Sequence, residues 1–210
     1  LVRSRGLGDV YKRQSDFSEP VTQNTKRFTR CFWALDKSLA YSRHYPAINW
    51  NTSYSEYVNA LSAWYYDNAG PEFMNYRDEL CSILLEENSL MEIVKLIGAD
   101  VLPDDQKLTI EIARVIRVGF LQQNAFLEND QYSSFDRQAR LLELILRYKD
   151  LCDAAIARGA DIWKLYAIAA RAAIGRAKTV PAERYQDVYA QIEADMEQQI
   201  EEVAKEAEAE

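Results

Sequence analysis

Apolar positions recur at intervals of three and four through most of the chain, in segments separated by Pro20, Pro46, Gly70-Pro71, the stretch from Gly98 to Pro103, Gly159 and Pro181. That spacing places one apolar stripe along each of a series of helices, and the proline and glycine positions punctuate them. One stretch differs. FTRCFWAL, from Phe28 to Leu35, is rich in aromatic and small apolar residues and predicts one short strand, the only one the pattern supports. Ser53-Tyr54-Ser55-Glu56 reads as a capping box, with Tyr57, Leu61 and Trp64 at helical spacing behind it, so a helix of about four turns is expected there. Pro71 suits a first helical position. The stripe Leu80, Ile83, Leu84, Met91, Val94 and Ile97 follows, interrupted at Glu86-Glu87-Asn88, which leaves open one helix or two shorter ones.

Leu108, Ile112, Val115, Ile116 and Phe120 give the clearest helical pattern, with Lys107, Glu111, Arg114 and Arg117 on the other side. Further helices are expected from about Phe135 through Leu141, Leu142, Ile145, Tyr148 and Cys152, and from Ile162 to about Ala177. In the tail, Tyr185, Val188, Ile192, Met196, Ile200 and Val203 form another stripe among acidic residues. That stripe needs a partner, either this bundle or another subunit, and docking on its own domain is the preferred expectation.

Charge sharpens this picture. Of 33 acidic and 25 basic residues, ten acidic and two basic fall between Ala182 and Glu210, so residues 1–181 are balanced at 23 of each. The acidity belongs to the last segment, and a neutral body argues against a nucleic-acid partner, which would require a basic face. Three dispersed cysteines without a CxxC and one histidine, His44, cannot build a zinc site at any usual spacing. There is no apolar run of the roughly 18 residues a membrane span requires, and Asn51-Thr52-Ser53 is expected to start a helix rather than carry a glycan. Residues 1–15 begin on Leu1 and carry Arg3, Arg5, Lys12 and Arg13 without periodicity. They are expected to be a disordered or foreign lead on a fragment.

The chain contains no GxxxxGK[ST], GxSxG or HExxH, and no second histidine for a dyad, so no catalytic residue and no metal ligand is assigned. Two stretches carry binding chemistry. In RHYPAINW, Arg43 to Trp50, Pro46 forces Tyr45 out of helical geometry and can hold its ring on an exposed turn. In FLQQNAF, a strongly periodic helix ends in Phe120, Leu121, Gln122, Gln123, Asn124, Ala125 and Phe126. Aromatic faces beside amides suit a flat heterocycle: stacking contributes about 1–3 kcal/mol and amides read its edge. The plainer reading of both stretches is core aromatics at helix ends.

Three ordered motifs make the pattern specific. DFSEPVTQNTKRF from Asp16, then CFWALDKSLAYSRHYPAINWNTSYSEY, then KLTIEIARVIRVGFLQQNAF resemble the catalytic A subunits of V-type and archaeal-type rotary ATPases. The resemblance runs from about residue 16 to about 157 and is nearer the bacterial and archaeal branch than the eukaryotic vacuolar one; the sibling B subunit has different wording at the equivalent turn. It implies a mainly α fold: residues 16–50 as the last strand-helix piece of a P-loop-type α/β nucleotide-binding domain, 51–180 as a C-terminal helical bundle, and 181–210 as an acidic amphipathic terminal helix. It further implies that Tyr45 and Phe126 enclose an adenine ring, with Phe120 near it and Gln122, Gln123 and Ala125 on the wall. The family usually has phenylalanine where Tyr45 stands, a change that keeps the stacking face.

The nucleotide would be ATP or ADP with Mg2+, the phosphate and metal ligands lying upstream of Asp16. Implied partners are B subunits in an alternating ring and a central shaft touched through Asp100, Asp104 and Asp105. Implied location is cytoplasmic and peripheral to the membrane. The competing expectation is a stand-alone helical adaptor that binds no nucleotide and docks partners through its tail stripe. Asp104 and Asp105 also have a plainer role, favouring a helix N-terminus through its dipole.

Overall fold

A computed structural model describes residues 20–209. The expected lead, residues 1–15, and the opening of the first motif, Asp16 to Glu19, lie outside the described residues. The described chain is mainly α and divides into two compact units between Ala63 and Trp64.

The first unit holds α1 (Pro20–Phe28), β1 (Cys31–Phe32), α2 (Lys37–Tyr41), β2 (Tyr54–Ser55) and α3 (Tyr57–Ala60). The expected strand shrinks to two residues, because Phe28 still belongs to α1 and Trp33 onward leaves the ladder. β1 pairs antiparallel with β2, Cys31 opposite Ser55 and Phe32 opposite Tyr54, and Leu35 bridges Ile48. The capping box does not form. Its residues are taken by this sheet, where Ser53 Oγ accepts the amide of Ala34 at 3.0 Å and donates to the carbonyl of Asn49. Phe32 and Tyr54 stack with centroids 6.0 Å apart, and Tyr54 reaches the carbonyls of Lys26 and Thr29, both at 3.1 Å. The expected four-turn helix is therefore broken into α3 and α4 (Ser62–Ala69), and Asn51-Thr52-Ser53 is a turn.

The second unit is a helical bundle. Pro71 sits in a turn, and α5 starts at Phe73 and runs unbroken to Ile97. An aromatic cluster fixes that start: Tyr65 stacks on Phe73 at 5.5 Å, and Trp64 meets Phe135 edge-on at 5.2 Å. Gly98, with φ of 88°, stops α5. After the turn to Pro103, α6 (Asp104–Ile116) returns against α5, its first turn carrying Asp104 and Asp105 and its stripe of Leu108, Ile112 and Ile116 fully buried. The helix then widens into one π-turn, Arg117–Leu121.

After the short α7 (Glu128–Gln131), Ser134 caps α8 (Phe135–Ala157), which packs on α6 and contributes Leu142, Leu144, Ile145 and Tyr148 to the core. Gly159, with φ of 95°, ends the turn after α8, and Asp161 accepts the amide of Trp163 to start the next helix. The expected Ile162–Ala177 helix is split at Ile168 into α9 (Ile162–Ala167) and α10 (Ala169–Arg176), followed by a 3-10 turn, Ala177–Thr179. The terminal helix α11 (Tyr185–Ala209) docks along α8, as preferred from its stripe. The buried line is Tyr189, Ile192, Met196, Ile200 and Ala204, rotated slightly from the expected one, with Tyr185, Val188 and Val203 at its margins.

Candidate functional site

The two stretches singled out by sequence are each built on a helix end, Tyr45 in the first unit and the other five candidate residues in the second.

In the first unit, Asp36 caps α2. Its carboxylate accepts the amide and hydroxyl of Ser38 at 2.8 and 2.6 Å and the side-chain amide of Asn49 at 2.9 Å. The Ser38 side chain, then Asn49, hold this carboxyl below the usual aspartate range. At the other end of α2, the amide of His44 bonds to the carbonyl of Leu39 at 2.9 Å and that of Arg43 to Ala40 at 3.1 Å, with Arg43 at φ of 58°. This is the Schellman pattern, with an arginine in the left-handed position. The reversal turns His44 inward, where it lies 5.6 Å from the Trp50 ring, and leaves Tyr45, on a cis bond to Pro46, 54% exposed. Asn49 Oδ1 in turn accepts the amides of Asn51 and Thr52, closing the loop.

In the second unit, the π-turn closes with the amide of Gln122 on the carbonyl of Arg117 at 2.8 Å, and Gln122 then leaves in an extended conformation. Asn124 Oδ1 accepts the amide of Phe126 at 3.0 Å, forming an Asx turn with Ala125 and Phe126 at its apex. The Phe126 ring is 98% exposed. Beneath the turn lies a cleft of about 210 Å3 bounded by Phe120, Gln123, Asp130, Arg137 and Lys178. Phe120 and Gln123 thus share one cleft, whereas Gln122, Ala125 and Phe126 do not line it.

Asp130, Arg137 and Lys178 were not legible in the sequence as site residues. Asp130 follows Asn124 by six positions without any motif, and Lys178 is brought in from 56 residues beyond Gln122. Burial pushes the Lys178 ammonium below its ordinary value, with Asp130 opposing that shift.

At the α5–α6 turn, Asp100 is exposed, Asp104 pairs with Lys107 at 3.0 Å, and Leu96, Ile97 and Val101 are exposed beside them. The tip is therefore apolar as well as acidic. Among the described residues no group of three or more His, Cys, Asp or Glu side chains could hold a metal ion, and no helix is long and apolar enough to cross a membrane.

Comparison with known proteins fits this architecture. Residues 62–166 match the family model for the C-terminal domain of V and A type ATP synthase, and residues 6–55 that for the nucleotide-binding domain of the ATP synthase alpha/beta family. The second match begins within the lead expected to be disordered or foreign. The chain is 50% identical over 159 residues to the V-type ATP synthase alpha chain 2 of Clostridium tetani, covering 76% of this chain and 27% of that protein. It is 53% identical over 140 residues to the V-type ATP synthase alpha chain of Halothermothrix orenii, covering 67% and 24%. To the A subunit of the A-type ATP synthase of Methanopyrus kandleri it is 41% identical over 201 residues, covering 96% and 34%. The chain spans about a quarter to a third of the length of these relatives. With a helical unit matched over half its length and a short α/β piece before it, the chain belongs to the V and A type ATP synthase family and carries its C-terminal domain.

Proposed function

We propose that these residues form the C-terminal part of the catalytic subunit of a rotary ATPase that couples ATP hydrolysis or synthesis to ion transport, and that they supply the adenine side of its nucleotide site. The observation that carries the proposal is Phe126: a large aromatic ring left 98% exposed at the apex of a turn whose backbone is firmly hydrogen-bonded. An apolar ring presented to solvent on a fixed backbone can serve as a stacking platform, the backbone part of its ordering cost being already met by the turn. Phe120, Gln122, Gln123 and Ala125 flank Phe126 in the same segment, and Tyr45, a second exposed ring at a fixed reversal of the first unit, is proposed as a further base-binding residue. Gln122 and Gln123 amides match the donors and acceptors of a purine.

Mg2+ and the phosphates belong to a P-loop, and no GxxxxGK[ST] occurs in these 210 residues. Toward the nucleotide, the described residues contribute to the base side in this reading. The tip around Asp100, Asp104 and Asp105, with its exposed Leu96, Ile97 and Val101, is proposed to meet a central shaft, and B subunits to flank the nucleotide site. The subunit works peripherally on the cytoplasmic side of a membrane. A nucleotide-free adaptor is disfavoured because the tail stripe that would have docked its partners is covered by α8.

The test is Phe126→Ala in the complete subunit. ATP binding should weaken by about 1–3 kcal/mol, the stacking magnitude. Unaltered affinity in the folded variant removes the site assignment.

A further inference from the structure

The turn that presents Phe126 is held from outside its own sequence by one ion pair. Lys178, on the 3-10 turn after α10, donates Nζ to the carbonyl of Val118 at 2.8 Å and to the carbonyl of Gln122. Val118 lies within the π-turn and Gln122 caps it, in the last turn of the helix, where carbonyls outrun the available amides. Asp130, on α7, accepts the amide of Asn124 at 2.7 Å, two residues further on. The two charged groups stand 3.9 Å apart, with 5% of the Asp130 side chain exposed and 16% of Lys178. One side of the segment is thus pinned through its carbonyls by the cation and the other through an amide by the anion.

The pair is itself fixed. Arg137, 3% exposed, donates to the carbonyl of Asn129 at 3.0 Å and to that of Lys178, so one guanidinium ties the backbone beside Asp130 to the backbone of Lys178. Its Nε reaches the Tyr189 hydroxyl at 3.5 Å, and that hydroxyl donates to the carbonyl of Ala177 at 3.0 Å. A continuous polar chain therefore runs from α11 through the 3-10 turn to the backbone of Gln122. Buried groups so fully engaged have one arrangement, and a segment bonded to them inherits it.

We propose that Lys178 and Asp130 are positioning residues that set the Gln122–Phe126 segment against the base of the bound nucleotide, an inference that rests on the nucleotide reading above. They touch no reacting group. Loosening the segment should cost base binding and leave phosphate chemistry alone, so the effect belongs in KM rather than kcat. It should also blunt discrimination between ATP and ITP, which differ only at the purine edge.

The test uses the complete subunit in its assembled complex, with Lys178→Met, Lys178→Arg, Asp130→Asn and, as a reference, Phe126→Ala. Amide hydrogen exchange over residues 118–130 is measured against that of α8, and KM and kcat are measured for ATP and ITP. Lys178→Met should speed exchange in 118–130 at least tenfold with α8 unchanged, raise KM for ATP about tenfold with kcat within twofold, and narrow the ATP-to-ITP ratio. Lys178→Arg should restore much of this, and Asp130→Asn, which keeps an acceptor for Asn124 but drops the charge, should fall between. Unchanged exchange in both Lys178→Met and Asp130→Asn overturns the claim that the pair holds the segment. Faster exchange with unchanged KM overturns the positioning role if Phe126→Ala raises KM. If Phe126→Ala leaves KM unchanged as well, the nucleotide reading fails and this inference with it.

Discussion

Arg117, at the start of the π-turn, donates to the carboxylate of Glu87 in the middle of α5, thirty residues earlier. Glu87 is 5% exposed, so the polar interruption Glu86-Glu87-Asn88 that left α5 open to division is half a buried ion pair rather than a break. Removing only Arg117 strands a carboxylate in the core, which costs about 3 kcal/mol even after allowing for the partial exposure of the arginine. Arg117→Met should lower the stability of the chain by about that amount in urea denaturation followed by circular dichroism. Adding Glu87→Met should recover most of the loss. A double variant no more stable than the single one contradicts the pairing.

Asp36 anchors the loop that exposes Tyr45. Its folded-state pKa is depressed, first by the Ser38 side chain and then by Asn49. The stabilisation is therefore present above the unfolded aspartate value, near about 4, and is lost as pH falls through the lower folded value. Asp36→Ala should cost about 1 kcal/mol at neutral pH, the size of a lost N-cap. The gap between the two proteins should close in acid. A gap that is constant from neutral pH to below the folded value means that the charge contributes nothing.

Helices whose apolar spacing was regular, α6, α8 and α11, were legible because one stripe alone decides where such a helix must bury itself. The failures were local competitions. Ser53 and Glu56 have the spacing of a capping box, yet Ser53 is engaged by the carbonyl of Asn49 and by the amide of Ala34, the latter nineteen residues away beside a small sheet that no short-range pattern announces. The strand at Cys31–Phe32 stops after two residues because its partner among the described residues, Tyr54–Ser55, is two residues long. At the candidate site, the aromatic and amide residues were visible as types in a row. Lys178, which holds the carbonyls of Gln122 and Val118, was not, because tertiary packing alone brings it to Gln122.

The isolated 210-residue chain should give strongly helical circular dichroism and no sustained ATP turnover, because the sequence contains no phosphate-binding loop. Turnover that persists after exhaustive purification places catalytic groups within these residues and overturns the division of labour proposed above.

Cysteine chemistry separates core from surface. Cys152 is fully buried on α8, and burial pushes its thiol up to about 12, whereas Cys31 and Cys81 are exposed. Alkylation follows the thiolate and its accessibility. Iodoacetamide at mildly alkaline pH should add two labels to the native chain, on Cys31 and Cys81, and a third only in denaturant. Mass spectrometry reads this directly, and native labelling of Cys152 means that α8 opens far more readily than its packing allows.

The docking of α11 involves two kinds of contact that respond differently to salt. Along its margins Arg140 meets Glu193, Arg147 meets Glu197, and Arg158 meets Glu201 and Glu208, most of them in groups open to solvent. Exposed pairs of this kind are screened and contribute little. Along its centre Met196 and Tyr189 are completely buried. Met196→Ala should cost about 2–4 kcal/mol through lost transfer energy and the cavity left behind. Tyr189→Phe should cost about 1–2 kcal/mol by removing the hydroxyl shared between Ala177 and Arg137. Raising salt to about 1 M, where the screening length is a few ångströms, should leave both losses intact. If salt alone releases α11, detected as rapid amide exchange along residues 185–209, then its acidic margin rather than its apolar stripe holds it in place.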